Sequence, residues 1–192
     1  MRELTILDGG MGQELTQRLQ TRGGLWSAQA LVDAPQVVAQ IHREFIEAGA
    51  DTIITNTYST VPSYLAKAGL ADQYLHYAQL AGEIAREVAD GFAAGVRVRG
   101  SIPPLHESYR YDLVPADNPS REVYESLVAT LAPYVDGFVC ETMSCVRESV
   151  NAAYAVRTVS EDKALWVAWT LDETPGQGLR SGESVAAAYD AI

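Results

Sequence analysis

Two carboxylates stand where an apolar segment ends. Asp8 closes "TILD" and is followed by "GGMG", while Glu141 lies in "FVCETMSC", close to the end of "DGFVCET". An unpaired charge at the end of an apolar strand is costly, so each needs a cationic or hydrogen-bonding partner. A purely structural role accounts for either one: capping the helix that follows, or accepting from backbone amides of the loop. If the fold brings the two to one mouth, they could together hold a ligand ammonium group.

The thiols flanking Glu141 are a weaker signal. Cys140 and Cys145 are five residues apart, which is neither C-x-x-C nor a zinc-finger spacing, and two cysteines in 192 residues do not make a disulfide framework. Adjacent strand residues face opposite ways, so if Glu141 faces a barrel mouth, Cys140 faces the helix layer as a small buried hydrophobe. Cys145 falls at the start of the next helix, where a depressed pKa is conceivable.

Other familiar chemistry is missing from the sequence. "DGGMGQE" follows a strand, but Leu15 stands where a dinucleotide fingerprint needs its third glycine, and no G-K-[ST] follows. Gly9, Gly10 and Gly12 read instead as a tight turn with close backbone approach. There is no G-x-S-x-G elbow, no H-E-x-x-H and no kinase signature set. His42 and His76 read as surface or partly packed helix residues. His106 sits in the long segment "PPLHESYRYDLVPADNP", a length typical of binding loops. Trp166 and Trp169 read as core and helix-facing aromatics, and Trp26 as either pocket wall or core.

Elements that would position these groups alternate regularly. Apolar runs rich in β-branched residues begin at Thr5, Asp51, Val96, Asp136 and Ala164 and are expected to be strands. Helical periodicity fills the intervals. Val37, Val38, Ile41, Phe45 and Ala48 share one face, with Asp33 as the expected cap and Gly49 as the stop. Further stripes are Leu75, Ala78, Gly82, Ala85 and Ala89, then Val123, Leu127 and Leu131 in a helix from Ser120, then Val146, Val150, Ala153 and Val156. A fifth helix is expected from near Gly182.

Such alternation means parallel strands with right-handed crossovers, in a doubly wound sheet or a (β/α)8 barrel. Strand ends favour the barrel. Asp8, Asn56 with Thr57, Ser101, Glu141 with Thr142, and Thr170 with Asp172 put polar groups at every C-terminal end, where barrels keep their sites. A doubly wound sheet would gather them at one switch point. Eight units usually need about 250 residues, so about five are expected here, in one domain over residues 1–192 that is truncated or completed by another chain.

Composition narrows the partners. The net charge of -11 disfavours nucleic acid, and no apolar run reaches the length of a signal peptide or membrane span. A cytoplasmic protein is expected.

"ILDGGMGQEL", "LWSAQALVDAPQVVAQIHREFIEAGADTIITNTY", "GSIPP" and "CETMS", in this order and at these spacings, resemble the homocysteine S-methyltransferases, most closely the members using S-methylmethionine or S-adenosylmethionine. The resemblance implies a (β/α)8 barrel, transfer of a methyl group from a sulfonium-type donor to homocysteine giving methionine, and a zinc ion that holds the substrate sulfur as thiolate. It assigns Asp8 and Glu141 to the homocysteine amino group, Gly9 and Gly10 to the adjoining turn, and Asn56 and Thr57 to the pocket at the second strand. It places the three cysteine ligands of the zinc beyond Ile192, so residues 1–192 alone are expected to be inactive. Pro103 and His106 stand where relatives commonly have glycines. Homocysteine and a methyl donor are the expected partners, and a homo-oligomer is possible. The alternative is a non-catalytic amino-acid-binding or assembly module built on a partial barrel.

Overall fold

The computed structural model describes residues 4–19, 25, 27–93 and 95–192. Helices α1 (Met11–Leu19), α2 (Ala28–Asp33) and α3 (Pro35–Glu47) precede strand β1 (Thr52–Ile54). Then follow α4 (Pro62–Leu65), α5 (Tyr74–Asp90), β2 (Arg97–Ile102), α6 (Asp117–Leu131) and β3 (Gly137–Met143). Helix α7 (Val146–Val159), β4 (Ala164–Trp169) and α8 (Val185–Asp190) complete the order.

All pairings between these strands are parallel, and the sheet order is β1-β2-β3-β4. Strand order that follows chain order without a reversal is the arrangement of a (β/α)8 barrel; a doubly wound sheet would turn back at a switch point. The helices agree, since α3, α5, α6 and α7 neighbour one another in sequence and form a single outer layer. The chain is an arc of such a barrel.

Period-2 alternation divides the side chains between two layers. Ile53, Val98, Ile102, Phe138 and Cys140 face the helices and make one core with Ala85, Val88, Leu127, Leu131, Ala152 and Val156. Burying each large aliphatic side chain here is worth about 2 kcal/mol. The opposite face carries Arg99, Ser101 and Glu141. Arg99 lies 4.1 Å from the centroid of Trp166 and donates to the Ala164 carbonyl. A side chain on Gly137 would overlap its guanidinium, which explains the glycine there.

Several sequence expectations need correction. The segment at Thr5 contributes a single parallel bridge, Leu7 to Thr52, supported by the Asp8 N–H donating to the Thr52 carbonyl at 3.0 Å. Leu4, Ile6 and Leu7 are exposed, so a β-prone sequence with a neighbour on one side forms little ladder. Asp33 does not cap α3: it ends α2, where it accepts from Gln29, and Ala34 precedes Pro35 at the first turn. Proline, pre-set for that position, starts the helix instead. Helix α6 begins at Asp117, three residues early, and α7 buries Ser149, Ala152, Ala153 and Val156 rather than a stripe through Val146 and Val150. His42 is fully buried, not at the surface, whereas His76 is exposed. Trp26 lies outside the described residues.

Candidate functional site

At the C-terminal ends of the strands lies a cavity of about 410 Å³. Asp8, Gly9, Gly10, Asn56 and Glu141 line it, so the structure brings together residues far apart in the chain. Thr57 is not among its lining: its Oγ1 donates to the Ser101 carbonyl at 2.8 Å and is 2.8 Å from Thr55 Oγ1, fastening the segment after β1 to β2. Asn56 is 3% exposed and donates through Nδ2 to the Ser27 carbonyl, tying the start of α2 to the strand end.

The carboxylates are held from opposite sides. Asp8 accepts from the Ile54 N–H at 2.8 Å, so its backbone partner is the adjacent strand, not the helix that follows. Glu141 accepts from Ser101 Oγ at 2.5 Å. Among the described residues no ion pair engages either group. Burial therefore dominates: it pushes the Asp8 carboxyl up to about 7, with a smaller contribution from the charge of Glu141, and it raises Glu141 as well. Hydrogen bonds from Ile54 and Ser101 oppose these shifts without cancelling them. Two half-buried acids that face one cavity with no basic partner among the described residues have the chemistry to attract a cation.

Of the lining glycines, Gly9 and Gly10 differ in their reason. A Cβ at Gly9 would fall 2.7 Å from the Phe45 ring of α3, so packing on that helix, rather than ligand approach, excludes a side chain; a Cβ at Gly10 would meet Gln13 at an ordinary 3.5 Å.

Tyr58, Tyr109 and Thr142 also line the cavity. The long loop after β2 supplies its wall through Tyr109, while His106 is exposed. Tyr109 belongs to the "SYRYD" run beside His106, and that run is the sequence signal for this wall. Tyr58 directly follows Asn56 and Thr57, and strand-end position alone could have found it.

Neither cysteine fits a metal ligand. Cys140 is fully buried on the helix side of β3, and burial pushes its thiol up to about 12. Cys145, at the start of α7, has its pKa raised by burial and not depressed; the helix terminus does not outweigh desolvation there. A thiol must ionise to bind zinc. Among the described residues no group of three or more His, Cys, Asp or Glu side chains is placed to hold a metal. Nor is any helix among them long and apolar enough to cross a membrane.

The profile of the homocysteine S-methyltransferase family matches residues 5–192. The chain belongs to this family. It is 25% identical to the homocysteine S-methyltransferase YbgG of Bacillus subtilis, across 88% of this chain and 59% of that protein. It is 30% identical to the S-methylmethionine–homocysteine S-methyltransferase BHMT2 of Rattus norvegicus, across 85% of this chain and 42% of that one. The chain thus spans about half the length of these curated relatives. The crystal structure of the metallated homocysteine methyltransferase MmuM from Escherichia coli superposes with a TM-score of 0.87 at 25% identity, covering 99% of this chain and 70% of that one. That coverage makes the arc a shared part of the homocysteine S-methyltransferase fold.

Proposed function

We propose that the cavity holds the ammonium group of homocysteine between Asp8 and Glu141, in a protein that transfers a methyl group from a sulfonium-type donor to the homocysteine sulfur. The observation that carries this is the pair of half-buried carboxylates lining one cavity, with no ion pair to either among the described residues. Family membership supplies the reaction class, and similarity to the rat S-methylmethionine–homocysteine S-methyltransferase supports S-methylmethionine as a donor. Residues 1–192 form the homocysteine-binding part, with Gly9, Gly10 and Asn56 shaping its floor and Thr57 bracing the strand behind it.

The work of these side chains is electrostatic. An arriving ammonium favours the ionised form of each acid, so Asp8 gives up its proton as the ligand docks. Ser101 and Ile54 keep the oxygens in place during that change. Anchoring the amine at the strand ends fixes where the rest of a short amino acid can reach, which is the positional contribution to transfer. Zinc, which the family resemblance implies, would hold the substrate sulfur as its thiolate. The thiols present here do not fit it, and no step is assigned to them.

Calorimetric titration with homocysteine and with 4-mercaptobutanoate, the same molecule without its amine, tests the reading. Homocysteine is expected to bind and the deaminated analogue to bind at least tenfold more weakly. Equal affinities would remove the ammonium site.

A further inference from the structure

Among the described residues, two that are not glycine have a left-handed backbone: Tyr109 at φ 66° and Thr142 at φ 61°. Both line the carboxylate cavity. In a β-branched residue this conformation is strained, because Cβ crowds the neighbouring carbonyl, and it persists where the surroundings over-determine it.

The strain has a geometric consequence on β3. In a regular strand alternate residues face opposite layers. Phe138, Cys140 and Met143 all belong to the core under the helices, yet Glu141 and Thr142 both line the cavity. The register against β4 shifts between Cys140 and Met143, as in a β-bulge. One extra residue thus lets the strand present two consecutive side chains to the cavity before Met143 rejoins the core. The Thr142 side chain hydrogen-bonds Tyr58, and Tyr58 Oη lies 2.6 Å from Ser108 Oγ. Ser108 precedes Tyr109, whose ring carries the Arg180 guanidinium at 5.0 Å. One chain of contacts therefore joins the two strained positions.

We infer that Thr142 is a positioning residue: its left-handed backbone and its bond to Tyr58 aim the Glu141 carboxylate into the cavity. The ligand class, an amino acid presenting its ammonium, rests on the reading of Asp8 and Glu141 given above. Thr142 acts through Glu141 and not by its own chemistry.

Two variants separate this role from simple packing. Thr142→Gly accepts the backbone without strain but frees it to adopt others and deletes the bond to Tyr58. Thr142→Ser keeps the hydroxyl. The measurement is the carbon-13 titration of the Glu141 side-chain carboxyl, assigned with Glu141→Gln, together with thermal unfolding and homocysteine titration. In Thr142→Gly the melting temperature is expected to stay level or rise, the Glu141 midpoint to fall towards that of an ordinary glutamate, and homocysteine affinity to drop about tenfold. Thr142→Ser is expected to track the parent protein. A Glu141 titration unchanged in Thr142→Gly overturns the inference, whatever the ligand does. If homocysteine binds no variant while that titration still moves, the ammonium reading falls and the positioning role stands.

Discussion

Ser101 Oγ donates to Glu141 Oε1 at 2.5 Å, from β2 across to β3. The bond stabilises the ionised carboxylate against the burial that raises its pKa. Ser101→Ala removes the donor and leaves Glu141 more readily protonated. A net hydrogen bond to a charged group is worth about 1.5–3 kcal/mol. Homocysteine affinity at neutral pH is expected to fall by about tenfold or more, with the loss shrinking as pH rises. A loss that does not vary with pH would show that Ser101 acts through packing.

The raised Asp8 carboxyl predicts that binding depends on pH. With its carboxyl near 7 in the free protein, binding of a cation below that pH must expel a proton. Affinity is expected to rise between about pH 6 and pH 8, with proton release visible as a buffer-dependent binding enthalpy in calorimetry. Asp8→Asn should abolish this dependence along with most of the affinity.

The same shift has the opposite sign for folding. A carboxyl whose folded pKa is raised contributes stability below its unfolded value near 4, and that stability is lost as pH climbs towards 7. Asp8→Asn retains an acceptor for the Ile54 N–H and removes the buried charge. Above pH 7 its melting temperature is expected to exceed that of the parent by a few degrees, a gain of stability paired with a loss of binding.

His42 is buried in α3, with neither ring nitrogen hydrogen-bonded among the described residues, and burial lowers its pKa to about 4. Its neutral form is the folded form. Stability is therefore intact above the unfolded value of about 6.5 and falls as pH drops from there towards 4. His42→Leu should flatten the acid limb of stability against pH, by about 3 kcal/mol at pH 4, as read by denaturant unfolding at several pH values.

Gly9→Ala drives a methyl group into the Phe45 ring. Overpacking of this kind costs about 1–3 kcal/mol, and Phe45→Leu in the same chain should recover part of it. If the single variant is as stable as the parent, the close packing of the turn on α3 is not what selects glycine.

Much of the barrel was legible because strand and helix periods alternate cleanly: Val98, Phe138 and Leu127 announce their layers by spacing alone. The clustering of Asp8 with Glu141 was legible for the same reason, since both close β-prone apolar runs, although the run at Leu7 forms only one bridge. What escaped depends on contacts between distant segments. The burial of His42 comes from the helices packed on α3, and a polar residue on an apolar stripe reads as surface. The weak pairing at Leu7 depends on which neighbours the segment has, not on its β-propensity. The left-handed backbone of Thr142 leaves no mark in a sequence where glycine or asparagine would have signalled it.

A crystal structure with homocysteine bound tests the central claim most directly. The account predicts the ligand nitrogen within about 3 Å of carboxylate oxygens of both Asp8 and Glu141. A ligand whose amine points away from this pair, or that lies outside the cavity, would contradict it.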